Sequence, residues 1–276
     1  MGVPVLILGE SGSGKSASMR NFKPGEIGII NVSGKPLPFR NNLKTVNTDN
    51  YEDVVKTIIA AKAKALVIDD AQYLMANEFM RTAKITGYQK FTDLALNFWR
   101  LIQVVINNLP PDKIVYFLAH VERDANGNEK MKTIGKMLDE KITVEGMFSI
   151  VLKTVVNDGN YYFQTQNSGK DTCKSPIGLF NSMLIENDLK KVDNAIRDYY
   201  DLSEAKAETP TPAPAREPEP EPEPVKEKTL AEKVADFQNN QPGATMPEAP
   251  KADVTTPAPV ETADATPVRR RRRIVE

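Results

Sequence analysis

One cysteine, Cys173, and one histidine, His120, are the only thiol and the only imidazole among 276 residues. A lone thiol rules out an intramolecular disulfide, and the two residues together leave no ligand set for a structural zinc site. Neither sign of charge is in excess: 36 basic and 37 acidic residues leave a net charge of −1. Any attraction to nucleic acid must therefore come from local patches and not from a bulk field. No apolar run reaches membrane-spanning length. An N-terminal signal pattern is also missing, because the first apolar run breaks into glycines and serines and not into a cleavage site. These absences predict a reducing, cytoplasmic setting and no membrane partner.

Proline is scarce where it would interrupt regular structure. Seven of the 20 prolines fall before position 201, and the other thirteen crowd into the residues beyond it. This division predicts a globular domain over 1–202 and a polar, disordered tail over 203–276. A domain of about 200 residues buries a sizeable core without disulfides or metals. In the tail, EPEPEPEP at 217–224 has too little apolar surface to offset its ordering entropy, so 203–228 reads as an extended linker of polyproline character. Residues 229–238 (TLAEKVADFQ) have the spacing of a short helix through Leu230, Val234 and Phe237, and Arg269–Arg273 form a basic end.

Continuous apolar runs typical of strands buried on both faces occur at 3–8 (VPVLIL), 27–32 (IGIINV), 65–70 (ALVIDD) and 114–119 (IVYFLA), the last ending at His120. Helices are expected from Ser16–Phe22, over Tyr51–Ala63 with Asp49 or Asn50 as N-cap, over Phe91–Asn108, over Ile134–Lys141 and over Leu184–Tyr200. Residues 76–90 read as a polar, mobile stretch. Met147–Val156 and Tyr161–Gln166 alternate around Asn157–Asn160 (NDGN), a hairpin signal because Asp-Gly accepts positive φ. Strands alternating with helices predict an α/β domain with a mainly parallel sheet flanked by helices, and the hairpin adds antiparallel strands at one edge.

GESGSGKS at Gly9–Ser16 has the spacing of a phosphate-binding P-loop. Its glycines let backbone N–H groups converge on phosphate oxygens, and a following helix adds its positive end. The expected nucleotide-binding residues are Gly9, Glu10, Ser11, Gly12, Ser13, Gly14, Lys15, Ser16 and Ala17. Lys15 is expected to reach the outer phosphates and Ser16 to hold Mg²⁺. Asp69, at the tip of ALVID on a neighbouring strand, is expected to share that metal, the alternative being a strand-end cap or surface ion pair. Asp70 is a candidate to orient an attacking water, although aspartate is shorter than the glutamate often found there. His120 is expected near the terminal phosphate as a sensor, against a purely structural histidine; Gln72 and Glu122 are weaker candidates for that region. Lys15, Asp69, Asp70 and His120 make up the expected catalytic set of an ATPase that uses ATP and Mg²⁺.

With these motifs in this order, the chain resembles the phage-encoded RecA-like ATP-binding proteins. These are often labelled AAA-family ATPases, and some are grouped as single-strand-annealing recombinases. The resemblance covers about 1–200 and rests on Gly9–Ser16, Leu66–Asp70, His120 and Gly169–Asp171 (GKD) after the hairpin. It implies a RecA-like P-loop NTPase core, ATP binding and hydrolysis, and action on single-stranded DNA in phage recombination or replication in the host cytoplasm. It also implies a homo-oligomer with nucleotide between subunits, where Lys170 or Lys153 would reach a neighbour's phosphates unless each is an ordinary surface charge. One departure stands out. RecA-like enzymes commonly carry a catalytic glutamate just after the second strand, whereas IINVSGKPLP has no acid between Asn31 and Pro38. Turnover then falls to Asp70 or Glu122, or is slow. The alternative reading is a nucleotide-binding switch, loader or scaffold with little turnover that recruits replication proteins through its tail. A small-molecule kinase sharing the loop is a third, disfavoured by the long tail and the lack of an arginine-rich lid.

Single-stranded DNA binding combines basic residues with aromatic platforms. Arg81, Lys84, Tyr88 and Lys90 are candidates in one segment, and Arg123, Lys130, Lys132 and Lys136 in another; the alternative for both is an ordinary solvated loop. Tyr161, Tyr162 and Phe163 read as hairpin core or interface and not as a base platform. Arg269–Arg273 attract any polyanion in a salt-sensitive way, the tail's own acidic run included. Residues 229–238 are either a docking helix for a partner such as a single-strand-binding protein or only transiently helical.

Overall fold

The computed structural model describes residues 1–202, so the expected 203–228 linker, the 229–238 helix and Arg269–Arg273 lie outside the described residues. In chain order the elements are β1 (Val3–Gly9), a 3₁₀ helix (Ser16–Asn21), β2 (Ile27–Asn31), β3 (Thr45–Asn47), α1 (Tyr51–Ala60), β4 (Ala65–Asp69), α2 (Gln72–Arg81), α3 (Gln89–Asn108), β5 (Ile114–Arg123) and β6 (Glu129–Met131). A π-helical turn (Met137–Ile142), a second 3₁₀ turn (Val144–Met147), β7 (Ile150–Asn157), β8 (Asn160–Gln164), β9 (Leu184–Glu186) and α4 (Leu189–Tyr199) complete the order.

The sheet order is β3-β2-β4-β5-β1-β7-β8-β9. From β3 to β7 every neighbouring pair is parallel, and β8 and β9 extend the β7 edge antiparallel. A buried strand sends alternate side chains to opposite faces, so each central run feeds two cores. Leu6, Leu8, Ile30, Leu66, Ile68, Val115 and Phe117 pack with Val54, Ile58, Phe98, Ile102 and Val105 of α1 and α3. On the other side Val5, Ile7, Ile29, Val67, Tyr116 and Leu118 pack with Met19 of the 3₁₀ helix and Val192 and Ile196 of α4. Full burial of one such side chain is worth roughly 1.5–3 kcal/mol. The Tyr116 hydroxyl donates to Asp193 Oδ1 at 2.8 Å and ties α4 to the central strand.

Several elements differ from the sequence expectation. The first helix is a single 3₁₀ stretch of six residues, and it stops short of Pro24, which supplies no donor and pushes Lys23 away from helical backbone. Asn50 caps α1 by accepting from the N–H groups of Glu52 and Asp53. Residues 76–81, expected as part of a mobile stretch, belong to α2, whose Leu74 and Met75 are buried against the sheet. Leu184–Tyr200 is not one helix: Leu184–Glu186 pair with β8, and Asp188 caps α4 by accepting from Lys190 and Lys191 N–H. The expected hairpin forms, with Asp158 (φ 50°) and Gly159 (φ 76°) at the turn.

Candidate functional site

Gly9–Ser16 connect β1 to the 3₁₀ helix at the carboxyl edge of the sheet, and two positions admit only glycine. A Cβ on Gly9 would lie 1.8 Å from Thr154 Oγ1 of β7. Gly14 has φ 96°, and a Cβ there would lie 2.8 Å from the Tyr161 ring. The Ser13 hydroxyl donates to Glu10 O at 2.7 Å and hydrogen-bonds with the Thr154 hydroxyl, so β7 braces the loop from beside β1.

Lys15 is 6 % exposed, and its ammonium donates to the carbonyls of Gly9 and Glu10, each at 2.9 Å. Burial lowers its pKa, opposed by the charges of Asp70, Asp69 and Glu10. Ser16 donates its hydroxyl to Asp69 Oδ1 at 2.9 Å. Asp69 is 5 % exposed, and its carboxyl is pushed up to about 6: burial raises it most, the Ser16 hydrogen bond draws it back, and the Asp70 charge adds to the rise. The structure thus brings Ser16 and Asp69 together, but not from neighbouring strands as expected. β5 runs between β1 and β4, because the long connections that parallel strands require can carry the chain past a neighbouring position that a later strand fills.

His120 lies on that intervening strand, directly opposite Gly9 in register. It does not end the strand as expected; β5 continues to Arg123 and pairs there with β6. Its Nε2 is 3.3 Å from Asp70 Oδ1, and its backbone N–H donates to Gln72 Oε1 at 3.2 Å. Asp70 takes φ 56° to turn the chain from β4 into α2, a left-handed conformation that aspartate tolerates better than most residues. Burial pushes the Asp70 carboxyl up, but the His120 hydrogen bond and charge, with Lys15 and Lys35, outweigh it and hold it below the ordinary range. Asp70 and His120 are therefore coupled to each other.

The other candidates scatter. Glu122 faces Lys130 across the β5–β6 ladder, 3.9 Å away. Asn31, where β2 ends, spends its amide on its own turn by donating to Lys35 O and accepting from Gly34 N–H. Lys153 pairs with Glu129 at 2.8 Å and lies 3.7 Å from Asp171, so its charge is engaged within its own chain. Lys170 is exposed. Arg123 joins the loop residue Glu10 to Glu129, at 2.9 and 3.0 Å. Arg81 pairs with Asp49 at 2.6 Å. Tyr88 is 91 % exposed between Lys84 and Lys90, and Lys90 sits over the Phe79 and Phe91 rings. Sequence reasoning missed Thr154 and Asn187, which reach the loop from β7 and from the end of β9; both contacts are made across the sheet, and no local motif marks them.

No protein-family model matches the chain, and no curated protein matches it. Among the described residues, no cluster of three or more His, Cys, Asp or Glu is placed to hold a metal alone, and no helix is long and apolar enough to cross a membrane.

Proposed function

We propose that the chain is a RecA-like P-loop ATPase that binds ATP with Mg²⁺ at Gly9–Ala17 and acts on single-stranded DNA in phage recombination or replication. One observation carries the nucleotide part of the reading. A buried lysine ammonium, held through loop carbonyls, stands beside a hydroxyl–carboxylate pair on a loop with no room for a Cβ at Gly9 or Gly14. A buried ammonium that exchanges neutral carbonyl acceptors for anionic phosphate oxygens gains the attraction of opposite charges in addition to its hydrogen bonds. Ser16 and Asp69 suit a magnesium ion, which typically takes one or two protein oxygens and fills its shell with water and phosphate. Bound Mg²⁺–ATP would supply the electrophilic phosphorus. The chain's own residues then divide the remaining work: Lys15 holds charge, Ser16 and Asp69 orient the metal, and the Asp70–His120 pair stands next in line to position a water.

A single-stranded DNA partner is supported by Tyr88 and its flanking lysines, and by Arg269–Arg273. Assembly of copies around the nucleotide is supported by the exposed Lys170 alone, since Lys153 is engaged within its own chain. Asn31 favours a second reading, a nucleotide switch or loader with slow turnover: no carboxylate stands at the end of β2, and Asp70 is tied to His120.

Lys15→Ala should abolish ATP binding by titration calorimetry while leaving the circular dichroism spectrum unchanged; normal ATP binding by this variant sinks the site assignment. Phosphate release measured with and without single-stranded DNA separates the two readings. Stimulation by DNA favours the ATPase, and a slow, unresponsive rate favours the switch.

A further inference from the structure

Beside the glycine loop lies a cavity of about 540 Å³, bordered by Ala17, Arg20, Asn160, Tyr161, Glu186 and Asn187. It opens one residue past Ser16, and neither Asp69 nor His120 borders it. Its volume falls in the usual range for small-molecule pockets. Asn187 is 1 % exposed, and neither its amide oxygen nor its amide nitrogen has a hydrogen-bond partner. Its backbone is fully engaged: the N–H donates to Tyr161 O at 3.3 Å, and the carbonyl accepts from Arg20 Nη1 at 2.6 Å. Only the side chain is orphaned. Both amide atoms stand 3.4 Å from where a Gly14 Cβ would be, so the amide faces the phosphate-loop glycine. An unpartnered buried amide is costly, and a ligand that pairs with it recovers that cost. Tyr161, 47 % exposed, closes the same side with its ring against Gly14.

We propose that this cavity takes the nucleobase and sugar of the nucleotide, that Tyr161 packs on the base, and that the Asn187 amide selects adenine over guanine. The inference rests on the phosphate-loop reading above and reassigns Tyr161 from hairpin core or interface to base platform. An amide offers one donor and one acceptor side by side. Adenine's N6 amino group and N7 present the complementary donor and acceptor, whereas guanine's O6 and N7 are both acceptors and oppose the amide oxygen. An aromatic face stacks on any base, so Tyr161 adds affinity and Asn187 adds choice. Arg20 is held by Asn187 O and lies 3.9 Å from Glu186, which keeps the cavity rim in place.

The test is calorimetric titration of the full chain with ATP, GTP and inorganic tripolyphosphate, each with Mg²⁺. Three proteins are compared: wild type, Asn187→Leu and Tyr161→Ala. Wild type should prefer ATP to GTP by about tenfold or more. Asn187→Leu should bring that ratio to about one, with tripolyphosphate affinity unchanged. Tyr161→Ala, on an exposed hairpin, should weaken ATP and GTP together by about tenfold and again spare tripolyphosphate. A folded Asn187→Leu protein that keeps the wild-type ratio overturns the selection. If that variant does not fold, the other two proteins decide: an unaffected Tyr161→Ala, or wild type binding ATP no tighter than tripolyphosphate, overturns the base pocket while the phosphate loop stands. Wild type binding neither ATP nor tripolyphosphate overturns the phosphate-loop reading and this inference with it.

Discussion

A buried ammonium and a buried carboxyl flank the glycine loop, and burial favours the neutral form of each. For Asp69 the sign can be worked out. Its folded pKa of about 6 exceeds the ordinary 3.8, so between those values the folded chain binds more protons than the unfolded one. Stability contributed by this residue is therefore greatest below about pH 4 and falls as pH rises towards 6. A shift of that size corresponds to about 3 kcal/mol at neutral pH. Asp69→Asn keeps an acceptor for the Ser16 hydroxyl and removes the charge. The variant should be more stable than wild type by about 1–3 kcal/mol at pH 7.5, or a few degrees of Tm, with no difference at pH 4. It should also lose Mg²⁺-dependent ATP binding. Thermal melts at the two pH values check the first outcome, and a lower Tm at pH 7.5 contradicts it. Wild-type Mg²⁺ dependence should itself fade as pH drops through 6, because a protonated carboxyl is a poor magnesium ligand. At this scale much was legible: Lys15 and Ser16 close a glycine-rich loop after one apolar run, Asp69 ends another, and the structure brings Ser16 and Asp69 into contact. Asn187 and Thr154 were hidden because an Asn after a strand and a Thr within one look like ordinary surface and strand residues.

Whole elements were legible where one physical cause dominated. β1, β2, β4 and β5 announced themselves as continuous apolar runs because both of their faces are covered. β3 and β9 gave no signal, being three-residue strands whose side chains are mostly exposed. α2 was obscured because it has no side-chain cap and buries only a narrow stripe. The loop after β8 was also unreadable, since it is folded around one carboxylate. Asp171 accepts from the Gln164 amide at 2.8 Å, from Cys173 N–H at 3.0 Å and from the Ser168 hydroxyl. Burial pushes this carboxyl up, but those hydrogen bonds, that of Ser168 foremost, pull it down to about 2. Its contribution is thus complete above about pH 4 and is lost as pH falls towards 2. Asp171→Asn replaces one acceptor oxygen with a donor and should cost about 2–3 kcal/mol at pH 7. Urea unfolding at pH 7 and pH 2 measures this: the two proteins should differ at pH 7 and converge at pH 2. Equal stability at pH 7 would mean that the loop is held by something else.

At the scale of the molecule, strand order was not written in the sequence. Chain order alone could not reveal that β5 runs between the two strands that carry Ser16's loop and Asp69, yet that insertion is what sets His120 opposite Gly9. Charge, by contrast, could be read from end to end. With a net charge of −1, and with Arg81, Arg123, Lys153 and Arg197 each paired to a carboxylate, these residues of the domain present no free positive stripe to a polyanion. Arg269–Arg273 are the densest run of one sign in the chain, so the salt dependence of the proposed DNA binding should reside there. Each phosphate contact on single-stranded DNA contributes about 0.7 to the slope of log affinity against log salt, so five arginines account for a slope of about 3–4. Replacing all five with glutamine in the full chain should flatten the slope by about that amount and leave ATP affinity unchanged, because no residue of the loop is touched. Filter binding of a single-stranded oligonucleotide across a salt series reads the slope directly. An unchanged slope would move the DNA contact onto the domain, where Lys84, Tyr88 and Lys90 are then the residues to substitute.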